Sequence, residues 1–125
     1  MDPKIKVLVV DDFATMRKVV RNMLRQMGID NVSEAENGDE GFRMAKAGEF
    51  GLIVSDWNMP IMSGIEFLRE LRKTEGGDAP VVVFCTTEND MEHIREAMEA
   101  GANEYIMKPF DSDILEAKFT QVGLI

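Results

Sequence analysis

The chain has 125 residues, a formal net charge of −9 at pH 7 and a sequence pI of about 4.6. A surface this acidic repels nucleic-acid phosphates and anionic lipids, so we predict neither nucleic acid nor membrane as a partner. The single cysteine, Cys85, excludes an internal disulfide, and no apolar run approaches the ~20 residues that span a bilayer. With no signal-peptide core before the first strand, residues 1–125 are predicted to be one cytoplasmic domain, expected to be a monomer.

The first half of the chain alternates apolar runs with helical patterns. Residues 5–10 predict a buried strand that stops at two aspartates, and a helix follows and ends at Gly28. Residues 31–35 predict a weak strand at an edge of the sheet, and residues 38–47 predict a short helix. The residues expected on the inward faces of these two helices are Met16, Val20, Met23, Leu24, Met27, Phe42 and Ala45.

The second half continues the same alternation and contains the most apolar strand. The predicted elements are strands at residues 51–55, 81–85 and 104–107 and helices at residues 63–73, 89–100 and from Asp111 onward. The middle strand carries no polar alternation, as expected of a strand that is buried on both faces. The residues expected to face inward from the three helices are Ile65, Leu68, Leu71, Met91, Ile94, Met98, Ile114, Leu115, Phe119 and Val122.

This order of elements predicts an α/β fold built as (βα)5. Strands that alternate with helices form a parallel sheet, because right-handed crossovers place the helices on both faces. We therefore predict a doubly wound, five-stranded parallel sheet of the flavodoxin-like type. In such sheets ligands bind beyond the carboxyl ends of the strands, so the residues that follow the strands are the candidate functional residues.

Three acidic residues and one lysine follow three of these strands. Asp11 and Asp12 end the first strand, Asp56 ends the third, and Lys108 ends the fifth. Carboxylate oxygens are preferred ligands of a hard divalent cation, and an ammonium group beside them suits a phosphoryl group. Each residue also has an ordinary explanation: Asp11 as a solvated loop acid, Asp12 as a helix N-cap, Asp56 as a turn residue, and Lys108 as a plain strand exit. Their combination favours a site for a metal ion and a phosphoryl group.

Four motifs together resemble the signature of response-regulator receiver domains. They are VVDDF at residues 9–13, SDWNMP at 55–60, Thr86, and KPF at 108–110. The resemblance covers essentially the whole chain and is greatest to single-domain chemotaxis regulators. It implies the strand order 2-1-3-4-5, which is also that of flavodoxin. It further implies a cis peptide bond between Lys108 and Pro109.

The resemblance assigns a role to each acidic residue. Asp56 would accept a phosphoryl group from a histidine kinase and form an acyl phosphate. Mg²⁺ is the implied cofactor, held by Asp12, Asp56 and the backbone carbonyl of Asn58, with Asp11 acting through water. A cation is needed there because two like charges in contact repel by about 4 kcal/mol near a protein surface.

The remaining assignments concern the phosphoryl group and the output. The resemblance implies that Lys108 neutralises a phosphoryl oxygen and that Thr86 donates a hydroxyl to it. Asn58 and Glu88 would control hydrolysis. Thr86 would move toward the phosphoryl group, and Tyr105 would turn into the vacated space. From the residues alone, Thr86 also fits a helix cap and Tyr105 a half-buried strand aromatic with its hydroxyl in water. The surface expected to change comprises Ile94, Tyr105, Met107 and Lys118.

Three other residues are expected to have no chemical role. His93 is predicted to be a surface residue of the fourth helix, Cys85 a small buried strand residue, and Trp57 a partly exposed aromatic.

Two features depart from the family pattern. Thr87 stands where receivers usually carry a small residue, and the helix start at residues 88–92 is acidic, which leaves the output partner open.

The predicted function is that of a response regulator in a chemotaxis phosphorelay, with a flagellar motor switch protein as the output partner. A phosphate sink or an adaptor for another pathway remains an alternative, and a separate phosphatase is a further possible partner. We predict a phosphoacceptor that assists its own phosphorylation and dephosphorylation and is not a turnover enzyme.

Two other functional classes share parts of this pattern. Phosphatases with an aspartate nucleophile place a second acid two residues later, where Asn58 stands after Asp56 and Phe13 stands after Asp11. A flavin carrier shares the fold, but three clustered acids would repel the phosphate of a flavin. The site residues, more than the fold, therefore favour a receiver.

Overall fold

The computed structural model describes residues 4–88 and 90–124, so the predicted start of the fourth helix at residue 89 lies outside the described residues. Strands and helices alternate in the order β1 (Val7–Val10), α1 (Ala14–Gln26), β2 (Val32–Ala35), α2 (Gly38–Ala47), β3 (Leu52–Ser55), α3 (Gly64–Lys73), β4 (Val81–Thr86), α4 (Met91–Glu99), β5 (Glu104–Met107) and α5 (Ser112–Gln121). The predicted alternation of five strands and five helices is confirmed. None of the described helices combines the length and apolar character that crossing a bilayer requires.

The five strands form one parallel sheet in the order β2-β1-β3-β4-β5. The predicted fold class and strand order are therefore confirmed. From β1 the chain first adds β2 on one side, and it then adds β3, β4 and β5 on the other side of β1. The direction in which strands are added therefore reverses between β1 and β3. The register pairs Val10 with Ser55, so the residues that follow these two strands emerge side by side. Ligands bind at such a switch point in doubly wound sheets.

Helices cover both faces of the sheet and bury two apolar layers. Val7 and Val9 face the layer that contains α1 and α5, whereas Leu8 and Val10 face the layer that contains α2 and α3. This alternation follows from the period of two in a strand. Cys85 of β4 is buried, as predicted, and burial raises the pKa of its thiol.

Side-chain caps set where the helices near the carboxyl edge of the sheet begin. Ser63 caps α3 and exchanges hydrogen bonds with Glu66, because the Ser63 side chain and the Glu66 side chain each accept from the other's backbone N–H. Asp90 and Asp111 each accept from a backbone N–H in the first turn of α4 and α5. After α1 the chain turns at Gly28, whose φ of 86° lies in the left-handed region that glycine favours.

The predicted inward faces of α4 and α5 are partly wrong. Met91 and Met98 are 70% and 45% exposed, and α4 buries Ala97 instead. α4 therefore contacts the core through the small side chain of Ala97, and both methionines lie largely outside that contact. In α5, Ile114 is 44% exposed because Leu115, about 100° further round the helix, occupies the core.

Helix α2 approaches the sheet through a glycine, Gly41, more than through the predicted large side chains, and Gly38 packs against Met62 of the loop after β3. Gly38 and Gly41 are buried, and a Cβ added to Gly41 would lie 3.0 Å from Val10 Cγ2. Phe42 and Ala45, predicted to be buried, are only partly buried and pack at the margin of the core. At this contact the space is therefore filled because α2 lies close to the sheet, and not because large side chains enter the core.

Candidate functional site

Three carboxylates meet beyond the carboxyl ends of β1 and β3. Asp11 and Asp12 follow β1, Asp56 follows β3, and one oxygen from each lies within 4.8 Å of the others. The backbone N–H of Asp56 donates to the carbonyl of Val10 over 2.9 Å, which continues the strand pairing into the site. Asp11 is buried, Asp56 is half-buried and Asp12 is exposed, so the cluster opens to solvent beside Asp12. The structure thus brings together the three predicted acids.

Lys108 supplies positive charge to this cluster from the end of β5. Its Nζ donates to Asp11 Oδ2 over 2.9 Å and lies 3.4 Å from Asp56 Oδ2. Its backbone N–H donates to the carbonyl of Thr86, so β4 helps to determine where the lysine emerges. The peptide bond between Lys108 and Pro109 is cis, as predicted. One ammonium against three carboxylates leaves an excess of negative charge.

The pKa values of Asp56 and Lys108 reflect this balance of charges. Burial raises the pKa of the Asp56 carboxyl; Lys108 opposes the shift and Asp11 adds to it, so the pKa lies above its usual value. Burial lowers the pKa of the Lys108 ammonium, but the bonds and charges of Asp11 and Asp56 outweigh burial and the pKa is raised. A carboxylate whose ionisation is disfavoured in this way is stabilised when a further cation binds beside it.

The donor atoms at this position fit a hard divalent cation. Mg²⁺ takes carboxylate oxygens from proteins and keeps several waters as its other ligands. Asp11, Asp12 and Asp56 offer such oxygens within one small cluster. Asn58, the fourth predicted ligand, is expected to act through its backbone carbonyl, and its side chain is hydrogen-bonded to a different residue: Nδ2 donates to Glu88 Oε1 over 2.6 Å.

Thr86 is the last residue of β4, and its side chain is fully buried beside Asp56. Its hydroxyl accepts from the backbone N–H of Glu88 over 3.3 Å, and its interaction with the Asp56 side chain acts to lower the pKa of that carboxyl, against the larger effect of burial. Helix α4 is capped by Asp90, so the interpretation of Thr86 as a helix cap is wrong. The predicted hydroxyl donor therefore lies next to the predicted phosphoacceptor.

Tyr105 is packed inside the domain against the loop that follows β4. It is 8% exposed, its ring centroid lies 6.3 Å from that of Phe84, and its hydroxyl donates to the backbone carbonyl of Glu88. Burial, followed by the negative charge of Glu88, raises the pKa of the phenol to about 12. The alternative in which the hydroxyl lies in water is therefore wrong. Tyr105 and Thr86 instead contact the same residue, Glu88.

The other predicted output residues surround β5. Helices α4 and α5 both pack against this strand. Met107 of β5 is 51% exposed, Ile94 of α4 is half-buried, and Lys118 of α5 places its Nζ 3.7 Å from Glu104 Oε1. The structure therefore distributes these residues over three adjoining elements.

Two aromatic side chains lie near Asp56, and one of them, Trp57, differs from its prediction. Trp57, predicted to be partly exposed, is 7% exposed, because its ring packs 5.4 Å from Phe84 and 4.8 Å from His93. His93 is a partly exposed surface residue, as predicted, with a side chain that is 31% exposed, and in addition it places Nδ1 2.6 Å from Asp90 Oδ1. Trp57 remains adjacent to the site, since its backbone N–H donates to Asp56 Oδ1 over 2.7 Å.

Similarity to known proteins identifies the family to which this arrangement belongs. Residues 7–120 match the family model of the response regulator receiver domain. The chain belongs to this receiver family. The receiver is 42% identical over 122 residues to chemotaxis protein CheY-3 of Vibrio cholerae serotype O1. This match covers 98% of this chain and 94% of the relative. It is 41% identical over 118 residues to chemotaxis protein CheY of Pseudomonas aeruginosa, and this match covers 94% of this chain and 95% of the relative.

Solved structures share the fold of this receiver. The chemotaxis response regulator CheY4 of Vibrio cholerae matches with a TM-score of 0.87 at 33% identity, covering 95% of this chain and 98% of that chain. A second match is a chain in the co-crystal structure of the Saccharomyces cerevisiae phosphotransfer protein Ypd1 with the receiver domain of Ssk1. Its TM-score is 0.86 at 30% identity, and the match covers 97% of this chain and 90% of that chain. Receivers are two-component signalling proteins, not turnover enzymes, and generally bind Mg²⁺ at a cluster of aspartates.

One basic residue that contacts the site of this receiver was missed in the sequence. Arg17 of α1 donates through NH1 to the backbone carbonyl of Asp11 over 2.7 Å and through Nε to Glu34 Oε1 over 3.0 Å. Its side chain is only 12% exposed. Arg17 therefore ties the end of β1 to β2. Its sequence signal is a basic residue early in a helix, which is too common to single it out.

Proposed function

We propose that this receiver accepts a phosphoryl group from a histidine kinase on Asp56 and, once phosphorylated, changes its binding to an output protein. The observation that carries the proposal is the Lys108 ammonium, which lies 2.9 Å from Asp11 and 3.4 Å from Asp56 within the carboxylate cluster. A phosphoryl group on Asp56 would bring its negative oxygens to this ammonium. The chemotaxis names of relatives at 42% and 41% identity favour a flagellar motor switch protein as the partner.

In the proposed reaction, a carboxylate oxygen of Asp56 attacks the phosphorus of a phosphohistidine. The phosphorus–oxygen bond forms as the phosphorus–nitrogen bond breaks, and the imidazole of the donor leaves with the electron pair. The Trp57 backbone N–H holds Asp56 Oδ1 over 2.7 Å, so the carboxylate is oriented before the donor arrives. Lys108 offsets charge on the phosphoryl oxygens, and Thr86 donates a hydroxyl to one of them.

We propose Mg²⁺ as the cofactor, held by Asp12, Asp56 and the backbone carbonyl of Asn58, with Asp11 acting through water. When bound, it would neutralise the negative charge that the carboxylates share with the phosphoryl oxygens. The raised pKa of Asp56 supports this requirement: burial and Asp11 keep it above its usual value although Lys108 opposes them. One ammonium is therefore not enough for this group of acids.

The proposed output runs from Thr86 through Glu88 to Tyr105. Thr86 Oγ1 accepts from the Glu88 backbone N–H, and the Tyr105 hydroxyl donates to the Glu88 carbonyl. If Thr86 turns toward a phosphoryl oxygen, its contact with Glu88 changes, and with it the segment that Tyr105 holds. Such a change shifts populations only if the two states differ by a few kcal/mol. The surface proposed to respond comprises Ile94, Tyr105, Met107 and Lys118.

One observation favours a second output. Glu88, Asp90 and Glu92 make the start of α4 acidic, so a partner with an acidic surface would be repelled there. An adaptor or a phosphate sink in another pathway is therefore the second candidate.

In either role we propose one receiver domain over residues 1–125, a monomer in the cytoplasm. It would promote its own phosphorylation and dephosphorylation, and a separate phosphatase would be a further partner.

The test uses Trp57 as a fluorescence reporter and Asp56→Asn as the variant. Mg²⁺, and then acetyl phosphate, should each change the fluorescence emission of Trp57, because the backbone N–H of Trp57 donates a hydrogen bond to Asp56 Oδ1. Asp56→Asn should abolish the response to acetyl phosphate and the phosphate adduct detected by mass spectrometry. Asp113→Asn removes an exposed carboxylate from α5 and should behave like the wild type. A phosphate adduct that persists in Asp56→Asn would contradict the proposal.

A further inference from the structure

Four side chains form a continuous bridge between two loops at the edge of the site. Asn58 Nδ2 donates to Glu88 Oε1 over 2.6 Å, and Glu88 Oε2 lies 3.6 Å from His93 Nε2. His93 Nδ1 lies 2.6 Å from Asp90 Oδ1. The bridge therefore connects the loop after β3 with the loop after β4 and with the first turn of α4.

The His93 ring is held in this bridge from several sides. Its centroid lies 4.8 Å from the Trp57 ring, with the two planes at 68°, and the His93 backbone N–H donates to Asp90 Oδ1 over 2.8 Å. The side chains of His93 and Glu88 are 31% and 32% exposed. Because these contacts already restrict the ring, His93 can orient the neighbouring carboxylate with little further loss of side-chain entropy.

Glu88 connects the bridge to the reacting group. Its backbone N–H donates to Thr86 Oγ1 over 3.3 Å, and its carbonyl accepts from the Tyr105 hydroxyl. Asn58, at the other end of the Glu88 side chain, follows Asp56 by two residues. The Glu88 carboxylate therefore spans the two loops that flank Asp56. The Glu88 carboxylate lies on the side of Asp56 where these two loops meet.

We propose that His93 is a positioning residue for dephosphorylation, which holds Glu88 against Asn58 and thereby slows hydrolysis of the phosphorylated receiver. This role depends on the proposed phosphorylation of Asp56. In hydrolysis a water oxygen bonds to phosphorus, the bond from phosphorus to the Asp56 oxygen breaks, and its electron pair returns to the carboxylate. Inorganic phosphate leaves, and the protons of the water stay with it or pass to solvent. A fixed Glu88 restricts the approach of that water, and a released Glu88 opens it.

The charges around His93 favour its protonated form. Asp90 and Glu96 are carried by α4 and its cap, Glu88 by the loop after β4, and Arg69 of α3 pairs with Glu96 over 2.5 Å. The hydrogen bond to Asp90 is the largest cause of a raised His93 pKa, and the surrounding carboxylates add to it. When protonated, both ring nitrogens are donors and can serve Asp90 and Glu88 together. Above its pKa the ring loses one donor, so its hold on Glu88 should weaken.

The test measures how fast the phosphoprotein decays after the chain has been phosphorylated with acetyl phosphate and Mg²⁺ and the donor has been removed. His93→Ala should decay about two- to tenfold faster than the wild type, which corresponds to the loss of one modest polar interaction. Arg95→Ala removes an exposed cation from the same helix and should leave the rate unchanged. In a Glu88→Ala background His93→Ala should have no further effect, because His93 acts through Glu88.

A pH profile distinguishes this positioning role from a general loss of structure. As the pH rises through the pKa of His93, decay of the wild type should accelerate toward that of His93→Ala. His93→Gln keeps a donor but does not titrate, so it should lack this step and decay more slowly than His93→Ala. Trp57 fluorescence reports the titration of the ring, because the two rings lie 4.8 Å apart.

Two results would overturn the role of His93. One is a His93→Ala decay rate equal to that of the wild type, and the other is an undiminished effect of His93→Ala in the Glu88→Ala background. Both leave the proposed function intact, because phosphate still forms on Asp56. If acetyl phosphate and Mg²⁺ place no phosphate on the wild-type chain, the proposed function fails and the role of His93 fails with it.

Discussion

The Nζ of Lys108 donates to Asp11 Oδ2 over 2.9 Å, although 97 positions of sequence separate the two residues. The contact joins a lysine side chain that is 17% exposed to an aspartate side chain that is 6% exposed. Asp56 Oδ2 lies 3.4 Å from the same ammonium. Because buried charges depend on their partners for stability, Lys108 links the ends of β1, β3 and β5 in addition to its proposed chemical role.

Lys108→Met should lower the free energy of unfolding by about 1–3 kcal/mol in the absence of Mg²⁺, because Asp11 and Asp56 would lose their cation while still largely buried. Mg²⁺ should restore part of this loss. Urea unfolding with and without Mg²⁺ measures both effects. The matched control is Lys118→Met, whose ammonium lies 3.7 Å from Glu104 and should contribute less than about 1 kcal/mol. Equal losses in the two variants would argue against a special role for Lys108.

Asp56→Asn should stabilise the metal-free protein at neutral pH by on the order of 1 kcal/mol, because the amide removes a disfavoured charge. Burial raises the pKa of Asp56 in the folded state, with Asp11 adding to the shift and Lys108 opposing it. The folded protein therefore holds this proton more tightly than the unfolded chain. Stability is lost as the pH rises from the unfolded value of 3.8 through the raised folded pKa.

The same pKa shift predicts how the effect of Asp56→Asn depends on pH. The difference in free energy of unfolding between variant and wild type should be largest near neutral pH and should shrink below pH 3.8, where the carboxyl is protonated in both states. Urea unfolding at a series of pH values in a chelating buffer measures it. Asp113→Asn, which removes an exposed carboxylate from α5, is the control for the change in net charge. A variant less stable than the wild type at pH 7 would rule out a preformed, repulsive acidic pocket.

Arg17→Ala should lower the free energy of unfolding by about 1–3 kcal/mol, because the Asp11 carbonyl and Glu34 each lose a hydrogen bond from a charged donor. The variant should also bind Mg²⁺ more weakly, since Arg17 holds the backbone of Asp11 over 2.7 Å. Thermal unfolding and an Mg²⁺ titration of tryptophan fluorescence measure the two effects. Arg25→Ala is the control: Arg25 is 64% exposed and 3.8 Å from Asp30, so its loss should change stability by less than about 0.5 kcal/mol.

Ile61→Asn should raise the free energy of unfolding by about 0.5–1 kcal/mol, because asparagine tolerates the left-handed region better than a β-branched residue. Ile61 has a φ of 68° and is 80% exposed, so little packing is lost with its side chain. Ile114→Asn is the comparison, since Ile114 is 44% exposed within the regular helix α5 and should show no gain. Destabilisation by Ile61→Asn in a urea titration would mean that the isoleucine packs against the loop.

Most of the fold and the centre of the site could be predicted because their signals are local. Apolar runs of four to six residues and helical spacing mark the elements, and the alternation of strands and helices implies a parallel sheet. In such a sheet the carboxyl ends of the strands share one edge. Asp11 and Asp56 follow adjacent strands and therefore lie side by side, whereas Lys108 reaches them from β5, beyond β4, through its long side chain.

The errors occurred where a contact between distant elements decides the environment of a residue. Met91 shares the spacing of a buried helical face, yet α4 packs through Ala97 and leaves it exposed. Trp57 follows a strand as a loop residue would, but the rings of Phe84 and His93 enclose it. Periodicity indicates that a helix has an apolar side, whereas the size of the contacting side chains determines which residues reach the core.

The sequence by itself determined the order of the elements, the parallel sheet and the acidic and basic residues at its carboxyl edge, because strand propensity and helical period act over a few neighbouring residues. Only the tertiary structure decided that Arg17 supports Asp11 and that His93 reaches Glu88. Those contacts depend on how helices lie on the sheet and on which rotamers their neighbours leave free. Side-chain geometry of this kind is set by packing across the whole domain, and no local pattern encodes it.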